Sequence, residues 1–248
     1  MSNEEQNGFF AKPVLYAVCF NFLCGGKIIK SLKRMLDIRN IDCMELMKQY
    51  KDNYFDLAIV DPPYGIERGG QTETFTKNPK HKRKAHKQKN WDNEIPNAEY
   101  FKELFRVSKN QIIWGANYFV EHLDKGTMGW IFWYKGQEGL SMSDGEIAFS
   151  SFQRATRMIN LNRGLIAQKG GSIHPTQKPV ELYRRLLNDY SKKGERILDT
   201  HLGSGSIALA CYDMGNELTA CEIDAEYYDN AMKRIQIHTA QQMLSFNH

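Results

Sequence analysis

The stretch that most constrains this chain is the Asp61–Tyr64 segment, which has the sequence Asp-Pro-Pro-Tyr. It follows the apolar run Phe55–Val60, which predicts a buried strand that stops abruptly at the acid. Each proline fixes its own φ and restricts the residue before it, so Asp61 and Pro62 should be extended. Their carbonyl groups should then accept no hydrogen bond from a following turn. A carboxylate beside such carbonyls can hold an amine, and the ring of Tyr64 suits a planar partner. An ordinary turn after a strand is the alternative interpretation.

Length and charge bound the class of protein. With 248 residues, 42% of them hydrophobic, the chain can form one α/β domain with a well-buried core. Seven of the 33 Lys and Arg residues lie in segment 77–89, which contains no acid. The rest of the chain therefore has 26 Lys and Arg residues and 29 Asp and Glu residues, a small excess of negative charge. This concentration predicts a local anionic partner, with a solvated loop as the alternative. The predicted DNA-contacting residues are Lys77, Lys80, Lys82, Arg83, Lys84, Lys87 and Lys89.

Cysteine usage and hydropathy predict a cytoplasmic protein without a metal. The five cysteines are odd in number and form no Cys-x-x-Cys pair, which supports neither a disulfide framework nor a zinc site. The apolar run Val14–Cys24 is too short to span a bilayer and lacks the basic start of a signal peptide. We therefore expect no membrane association, and we expect this run to form a buried extra strand.

Strands alternate with helices along the chain, which predicts a doubly wound, mostly parallel sheet. The predicted helices are Met44–Tyr50, Ala98–Val107, Val180–Tyr190 and Ser206–Met214. The predicted strands are Ile38–Cys43, Phe55–Val60, Gln111–Trp114, Trp130–Tyr134, Glu146–Phe149, Ile197–Asp199 and Leu218–Glu222. We expect Trp130–Tyr134 and Glu146–Phe149 to pair at one edge, and segment 154–169 to lie on the surface. We expect residues 1–34 to be an N-terminal extension, 35–240 to form a single domain, and about 66–92 to be a basic insertion within it.

A second site is predicted where the strand Ile197–Asp199 meets the glycine-rich turn Thr200–Gly205. Glycines let a ligand approach the backbone, and the following helix offers free N–H groups. About 20 residues later another strand ends at Glu222, the spacing at which an acid binds ribose hydroxyls in nucleotide-binding α/β folds. The turn is Gly-Ser-Gly and not the dinucleotide fingerprint. Together these features predict a nucleoside-type cofactor, with a purely structural turn as the alternative.

A third cluster lies in Ser172–Pro179, where two prolines bracket polar residues ahead of a helix. This pattern predicts a rigid loop that presents Thr176, Gln177 and the ammonium group of Lys178. The alternative is a plain helix start with proline near the first turn.

With these three motifs, in this order, the sequence resembles the β class of amino-methyltransferases. These are S-adenosylmethionine-dependent DNA enzymes that methylate the exocyclic amine of adenine or cytosine. The resemblance covers Ile38 to about Gln236 and rests on Asp61–Tyr64, His174–Pro179, and Leu198–Asp199 with Gly203–Gly205. It implies a Rossmann-like, class I methyltransferase sheet of seven strands, one of them antiparallel, with both strand-end motifs opening on one crevice. Thr200 and His201 stand where the family usually has Pro and Phe.

The resemblance also implies roles for individual residues. Asp61 and the Pro62 carbonyl would accept the two N–H bonds of the target amine, and Tyr64 would hold the flipped base. The implied catalytic residues are Asp61, Pro62, Pro63 and Tyr64. The implied cofactor residues are Asp199, Thr200, Gly203, Ser204, Gly205, Glu222, Thr176, Gln177 and Lys178, the last three near the methionine end.

Adenine is the favoured target, because members of the family that act on cytosine more often carry Ser in place of Asp61. Cytosine-N4 methylation, an RNA substrate and a non-catalytic nucleic-acid-binding relic are the alternatives. The region about 135–172 is short for DNA recognition, so specificity is limited or shared with the basic insertion or a second subunit, for example in a homodimer. Restriction-modification and a mobile-element setting both fit these features.

Overall fold

The computed structural model describes residues 35–65, 95–123, 126–138, 143–162 and 177–245. The N-terminal extension, the seven basic residues of 77–89 and Thr176 lie outside the described residues. The predictions made for them, and the predicted domain boundaries, therefore stay predictions.

Eight strands, five α-helices and two short 3₁₀ turns form the described part of the chain. The strands are β1 Leu36–Arg39, β2 Leu57–Val60, β3 Gln111–Trp114, β4 Ile131–Tyr134, β5 Gly145–Ser150, β6 Arg157–Asn160, β7 Arg196–Asp199 and β8 Glu217–Cys221. The helices are α1 Cys43–Met47, α2 Ala98–Val107, α3 Val180–Tyr190, α4 Ser206–Met214 and α5 Ala225–Ser245, and the 3₁₀ turns are Ala116–Tyr118 and Val120–His122. Among these described helices, none has the length and apolarity needed to cross a membrane.

The eight strands form one sheet in the order β1-β8-β7-β2-β3-β5-β4-β6. Neighbouring strands are parallel except where β5 pairs with β3 and with β4. The predicted mostly parallel sheet with one antiparallel strand is thus confirmed. The predicted number of seven strands is wrong, because β6 adds an eighth at the edge.

Strand β6 explains two further differences from prediction. Segment 154–169 was expected only as surface, yet Arg157–Asn160 pairs with β4 and exposes every residue except Ile159. A short edge strand that carries a charged side chain, here that of Arg157, is protected against pairing with other chains. We had expected the β4–β5 pair to lie at the edge of the sheet. Because β6 occupies that edge, the pair lies inside the sheet.

The bounds of helices α2, α3 and α4 agree with the prediction, whereas the start of the domain does not. The predicted strand Ile38–Cys43 is displaced, because Asp42 begins a helix: its Oδ1 accepts from the backbone N–H groups of Met44 at 2.8 Å and Glu45 at 3.2 Å. This is the usual pattern of a helix N-cap. Helix α5, with 21 residues, was not predicted.

The sheet has a buried core on each face, and β2 shows why. Leu57 and Ile59 point to a core that includes residues of α3, α4 and α5, whereas Ala58 and Val60 point to one that includes residues of α1 and α2. A sheet covered on both faces is typical of parallel α/β architecture. With both faces covered, the carboxyl ends of the parallel strands are left as the edge where a ligand can bind.

Candidate active site

Three acidic residues stand at the carboxyl ends of neighbouring strands: Asp61 after β2, Asp199 at the end of β7, and Glu222 after β8. A cavity of about 250 Å³ opens at this edge and is lined by both Asp61 and Glu222. Its full lining is Ile41, Asp42, Cys43, Asp61, Pro63, Gln177, Lys178, Tyr183, Thr200, His201, Leu202, Gly203, Ser204, Glu222, Ile223 and Tyr227. The two strand-end motifs therefore share one cavity.

Most of the predicted site residues that the structure describes line this cavity. Those that do are Asp61, Pro63, Gln177, Lys178, Thr200, Gly203, Ser204 and Glu222. Within the described residues, Pro62, Tyr64, Asp199 and Gly205 do not line it. Pro62, Asp199 and Gly205 are buried and Tyr64 is half-buried, and each is next in sequence to a residue that lines the cavity.

The glycine turn is held from two sides. Glu222 accepts the backbone N–H of Gly203 on Oε2 at 2.9 Å and that of Asp224 on Oε1 at 3.0 Å. From α5, Arg234 donates to the Ser204 carbonyl at 2.8 Å and to the Ser206 hydroxyl at 2.9 Å. Burial raises the pKa of Glu222, although these backbone donors oppose the shift. Because each carboxylate oxygen has a second lone pair, Glu222 can still accept from a ligand hydroxyl.

Asp199 shapes the turn from behind. It is 3% exposed, and its Oδ1 accepts the backbone N–H of His201 at 3.0 Å. Burial raises its pKa to about 7, despite that hydrogen bond. The side chain thus fixes the direction in which the chain leaves β7 and sets the position of the glycine turn.

Tyr64 is tied to Asp61 and to a second aromatic ring. Its hydroxyl donates to Asp61 Oδ1 at 2.5 Å. Its ring stacks on that of Tyr118, with the centroids 5.1 Å apart and the planes 14° from parallel. Burial raises the pKa of Tyr64, so the group remains a phenol and a donor.

Gly115 gives Tyr64 its room. This residue follows β3, has φ +69°, and lies so close to Tyr64 that a Cβ on it would be 2.1 Å from Cε1 of the tyrosine ring. Such a separation is far inside van der Waals contact, and the left-handed backbone also disfavours a side chain. Gly115 therefore fits this position for two independent reasons.

We expect Gly115→Ala to lower the free energy of unfolding by about 2 kcal/mol or more, since backbone strain and the clash with Tyr64 add together. Urea unfolding measures the change. Gly126→Ala is the matched control: the φ of Gly126 lies outside the left-handed region, no described residue lies within 4 Å of its added Cβ, and a change within about 0.5 kcal/mol is expected. Equal stability of the two variants would contradict the close approach of Gly115 to Tyr64.

A chain of alternating charges runs from Asp61 into the protein, and we call it the ion-pair chain. Lys178 pairs with Asp61 Oδ2 and lies 3.1 Å from Glu146 Oε2, and Lys135 lies 2.5 Å from Glu146 Oε1. The side chains of the two lysines are only 2% and 8% exposed. Two carboxylates and two ammonium groups sum to zero charge, which is what a buried site tolerates.

The ion-pair chain sets the protonation of its members. Burial acts to lower the pKa of Lys178, but the carboxylates of Asp61 and Glu146 raise it above its ordinary value. Burial acts in the opposite sense on Glu146, where the two ammonium groups outweigh it and lower the pKa to about 2. Burial raises the pKa of Asp61, and Lys178 and the Tyr64 hydroxyl oppose that rise. Lys178 and the Tyr64 hydroxyl therefore both favour the charged form of Asp61, and Lys178 has the larger effect.

Lys135 and Glu146 were not predicted from the sequence as site residues. Lys135 follows β4, and Glu146 is the second residue of β5, so the antiparallel β4–β5 pair carries both to the same end. Opposite charges at one end of two apolar strands were the available signal. Lys178 was predicted to lie near the cofactor, and it also contacts the predicted catalytic carboxylate.

Sequence comparison relates the chain to DNA-modifying enzymes. A family model described as DNA methylase, of the N6/N4 type, matches residues 149–233. The type II methyltransferase M.HpaI of Haemophilus parainfluenzae is 24% identical over 238 residues, which are 78% of this chain and 72% of the relative.

Solved structures show the same fold. The M1.HpyAVI complex with S-adenosylmethionine covers 81% of this chain and 99% of its own, with a TM-score of 0.54 and 20% identity. The cytosine-N4-specific PvuII DNA methyltransferase covers 80% of this chain and 86% of its own, with a TM-score of 0.53 and 11% identity. The sheet is thus that of the class I methyltransferases, as predicted. The sequence and fold comparisons confirm the resemblance of this chain to the amino-methyltransferases of the β class.

Proposed function

We propose that the chain is a DNA methyltransferase that transfers a methyl group from S-adenosylmethionine to the exocyclic amine of a flipped adenine. The observation that carries the proposal is the shared cavity, where the Asp61–Tyr64 segment meets the glycine turn and Glu222. The likeness to M.HpaI and to the DNA methylase family model supports a DNA substrate. The fold shared with M1.HpyAVI, solved with S-adenosylmethionine, supports the cofactor.

The residues around the cavity suit this cofactor. Glu222 offers carboxylate oxygens for ribose hydroxyls, and the apolar side chains of Ile41 and Ile223 offer walls for a flat base. Lys178 pairs with Asp61, and Gln177, the residue before it, also lines the cavity, so their polar groups could hold the methionine portion. When bound, S-adenosylmethionine supplies a methyl group on a sulfonium that a nucleophile can displace.

Asp61 is the residue that we assign to the target amine. An adenine amine is a weak nucleophile because its lone pair is delocalised into the ring, and acceptors on its N–H bonds favour a pyramidal nitrogen. They also stabilise the positive charge that grows during attack, which is electrostatic preorganisation. Asp61 already accepts from Tyr64 and Lys178, but a carboxylate has about four acceptor positions, so it can accept an N–H bond as well.

Lys178 has a separate task in this mechanism. Buried carboxylates tend to protonate, and a protonated Asp61 would lose acceptor capacity. The Lys178 ammonium favours the ionised form, and Glu146 with Lys135 holds that ammonium in place. We infer that Lys178, held between Glu146 and Asp61, favours the ionised, accepting form of Asp61.

The base itself must leave the duplex to reach this pocket, since a stacked base cannot contact Asp61. Tyr64 offers one aromatic surface, and Tyr118, whose ring stacks on it, is 42% exposed as a residue. We propose that these two rings form the aromatic part of the base pocket. The basic residues of 77–89 supply phosphate contacts in this proposal, and sequence specificity is limited, or is shared with these residues or with a second subunit.

Base-resolved methylation mapping tests the proposal. DNA from cells that express the protein should carry N6-methyladenine within a short recurring sequence that is absent from cells expressing Asp61→Ala. N4-methylcytosine in the same assay would overturn the adenine assignment in favour of the cytosine alternative. Unmodified DNA together with normal cofactor binding would identify a non-catalytic relic.

A further inference from the structure

His201 lines the cavity, and only one of its two ring nitrogens has a hydrogen-bond partner among the described residues. Its Nδ1 lies 2.9 Å from the Thr200 hydroxyl, and that hydroxyl lies 2.7 Å from the hydroxyl of Tyr100 on α2. The rings of Tyr100 and His201 meet edge to face at 5.5 Å. Nε2 of His201 has no partner in the described part of the chain and is not sealed from solvent.

The direction of these hydrogen bonds follows from counting protons. Tyr100 is 2% exposed, and among the described residues Thr200 Oγ1 is the partner of its hydroxyl. A buried O–H without an acceptor is costly, so Tyr100 donates to Thr200. The single proton of the Thr200 hydroxyl is then free to be donated to His201 Nδ1, which accepts it.

An imidazole whose Nδ1 accepts carries its proton on Nε2 when it is neutral. His201 is neutral near pH 7, because burial lowers its pKa to about 4. In the reverse arrangement, with Nδ1–H donating to Thr200, the Thr200 oxygen would accept from both His201 and Tyr100, and the Thr200 proton would have no acceptor among the described residues. The Tyr100–Thr200 pair therefore selects the Nε2–H tautomer.

We propose that His201 uses its Nε2–H to donate a hydrogen bond to an acceptor atom in the nucleoside part of the cofactor. Tyr100 and Thr200 act as positioning residues that set the tautomer. This inference rests on the proposed function. It gives the chain a directional contact at a position where Phe, usual in the family, could make only an apolar one.

The position of His201 favours the nucleoside part over the methionine part. The cavity extends from Asp61 and Lys178 beside β2, across β7, to Glu222 after β8 and to Asp42 at the start of α1. His201 follows β7, and the carboxylate of Asp42 is the charge that acts on its pKa. With the methyl-donating end beside Asp61, the nucleoside occupies the side of the cavity that holds Glu222 and Asp42.

Nitrogen-15 NMR of the full chain tests the tautomer without any ligand. Long-range ¹⁵N–¹H spectra should show His201 with a protonated Nε2 and an unprotonated Nδ1. In Thr200→Val, which keeps the branched shape but removes the hydroxyl that donates to Nδ1, the two tautomers should mix. A protonated Nδ1 in the wild type, or an unchanged spectrum in Thr200→Val, would overturn the role of the Tyr100–Thr200 pair.

Calorimetry with S-adenosylhomocysteine tests the donor. His201→Phe keeps an aromatic ring but removes the N–H, and it should weaken binding by about 5- to 10-fold, the value of one neutral hydrogen bond. His201→Gln keeps a donor and should recover part of the affinity. Equal affinity of the wild type and His201→Phe would overturn the donor role. If the wild type binds no S-adenosylhomocysteine, the proposed function fails, whereas the NMR result still decides the tautomer.

Discussion

Replacing Asp61 by Ala is expected to lower kcat for methyl transfer by about 10²- to 10³-fold and to leave affinity for S-adenosylhomocysteine within about threefold of the wild type. The reason is that Asp61 is assigned to the target amine and acts on charge that develops only during attack. The cofactor residues on β7 and β8 are untouched by the change. Single-turnover methylation of a DNA substrate, with calorimetry in parallel, measures both effects.

Two further variants make the Asp61 result specific. Glu222→Ala should show the reverse pattern, with weak cofactor binding, because Glu222 faces the cavity at the far side from Asp61. Asp61→Asn keeps an acceptor oxygen and the shape of the side chain but removes the charge, so it should fall between the wild type and Asp61→Ala. Near-normal turnover in Asp61→Ala would remove the catalytic assignment, whatever the cofactor affinity.

The sequence was sufficient for the features that depend on nearby residues. The apolar run before Asp61 predicts a strand end, and the turn Gly203–Gly205 follows another; both lie at one edge because the strands are parallel. Helices α2, α3 and α4 have strong local patterns, and their bounds were predicted correctly. Periodicity and turn residues carry this kind of information.

The ion-pair chain could not be predicted, because it depends on pairing between distant parts of the chain. Lys178 lies just before α3, far from Glu146 in the sequence. The two side chains meet only because β5 lies antiparallel between β3 and β4 in the sheet. No local pattern states that β4 and β5 lie inside the sheet. The same holds for the Tyr100–Thr200 hydrogen bond, which joins residues 100 positions apart.

Local capping was the other source of error. Asp42 looked like part of a strand, because the apolar residues Ile38 and Ile41 flank the polar pair before it. Its side chain instead begins α1, and β1 ends at Arg39. The difference matters for the site, since this loop lets Ile41, Asp42 and Cys43 line the cavity.

Replacing Lys178 by Met is expected to lower the free energy of unfolding at pH 7 by about 3–5 kcal/mol, the cost of leaving a buried ion pair without one partner. The ammonium lies between two carboxylates, those of Asp61 and Glu146. Without it, burial acts on both acids with less opposition. The pKa of Asp61, already raised by burial, should rise further, and the pKa of Glu146 should no longer lie near 2.

The change of stability with pH is a second, independent test of the role of Lys178. In the wild type, the lowered pKa of Glu146 adds stability that is present above its ordinary value of 4.5 and is lost as the pH falls towards 2. In Lys178→Met, acids with raised pKa values hold more protons in the folded state than in the unfolded state. Stability should therefore fall as the pH rises from about 5 to 8, and methyl transfer should require a higher pH to ionise Asp61.

The double variant Lys178→Met/Glu146→Gln is the control for this prediction. Removing one positive and one negative charge leaves Asp61 without a second carboxylate nearby, so the double variant should be more stable than Lys178→Met at pH 7. Urea unfolding between pH 5 and pH 8 measures all three proteins. Wild-type stability in Lys178→Met, or a stability that rises with pH in that variant, would show that the ammonium does not hold the two carboxylates in their charged forms. If both stability results appear and methyl transfer keeps its wild-type pH profile, the ion-pair chain stabilises the fold without controlling Asp61.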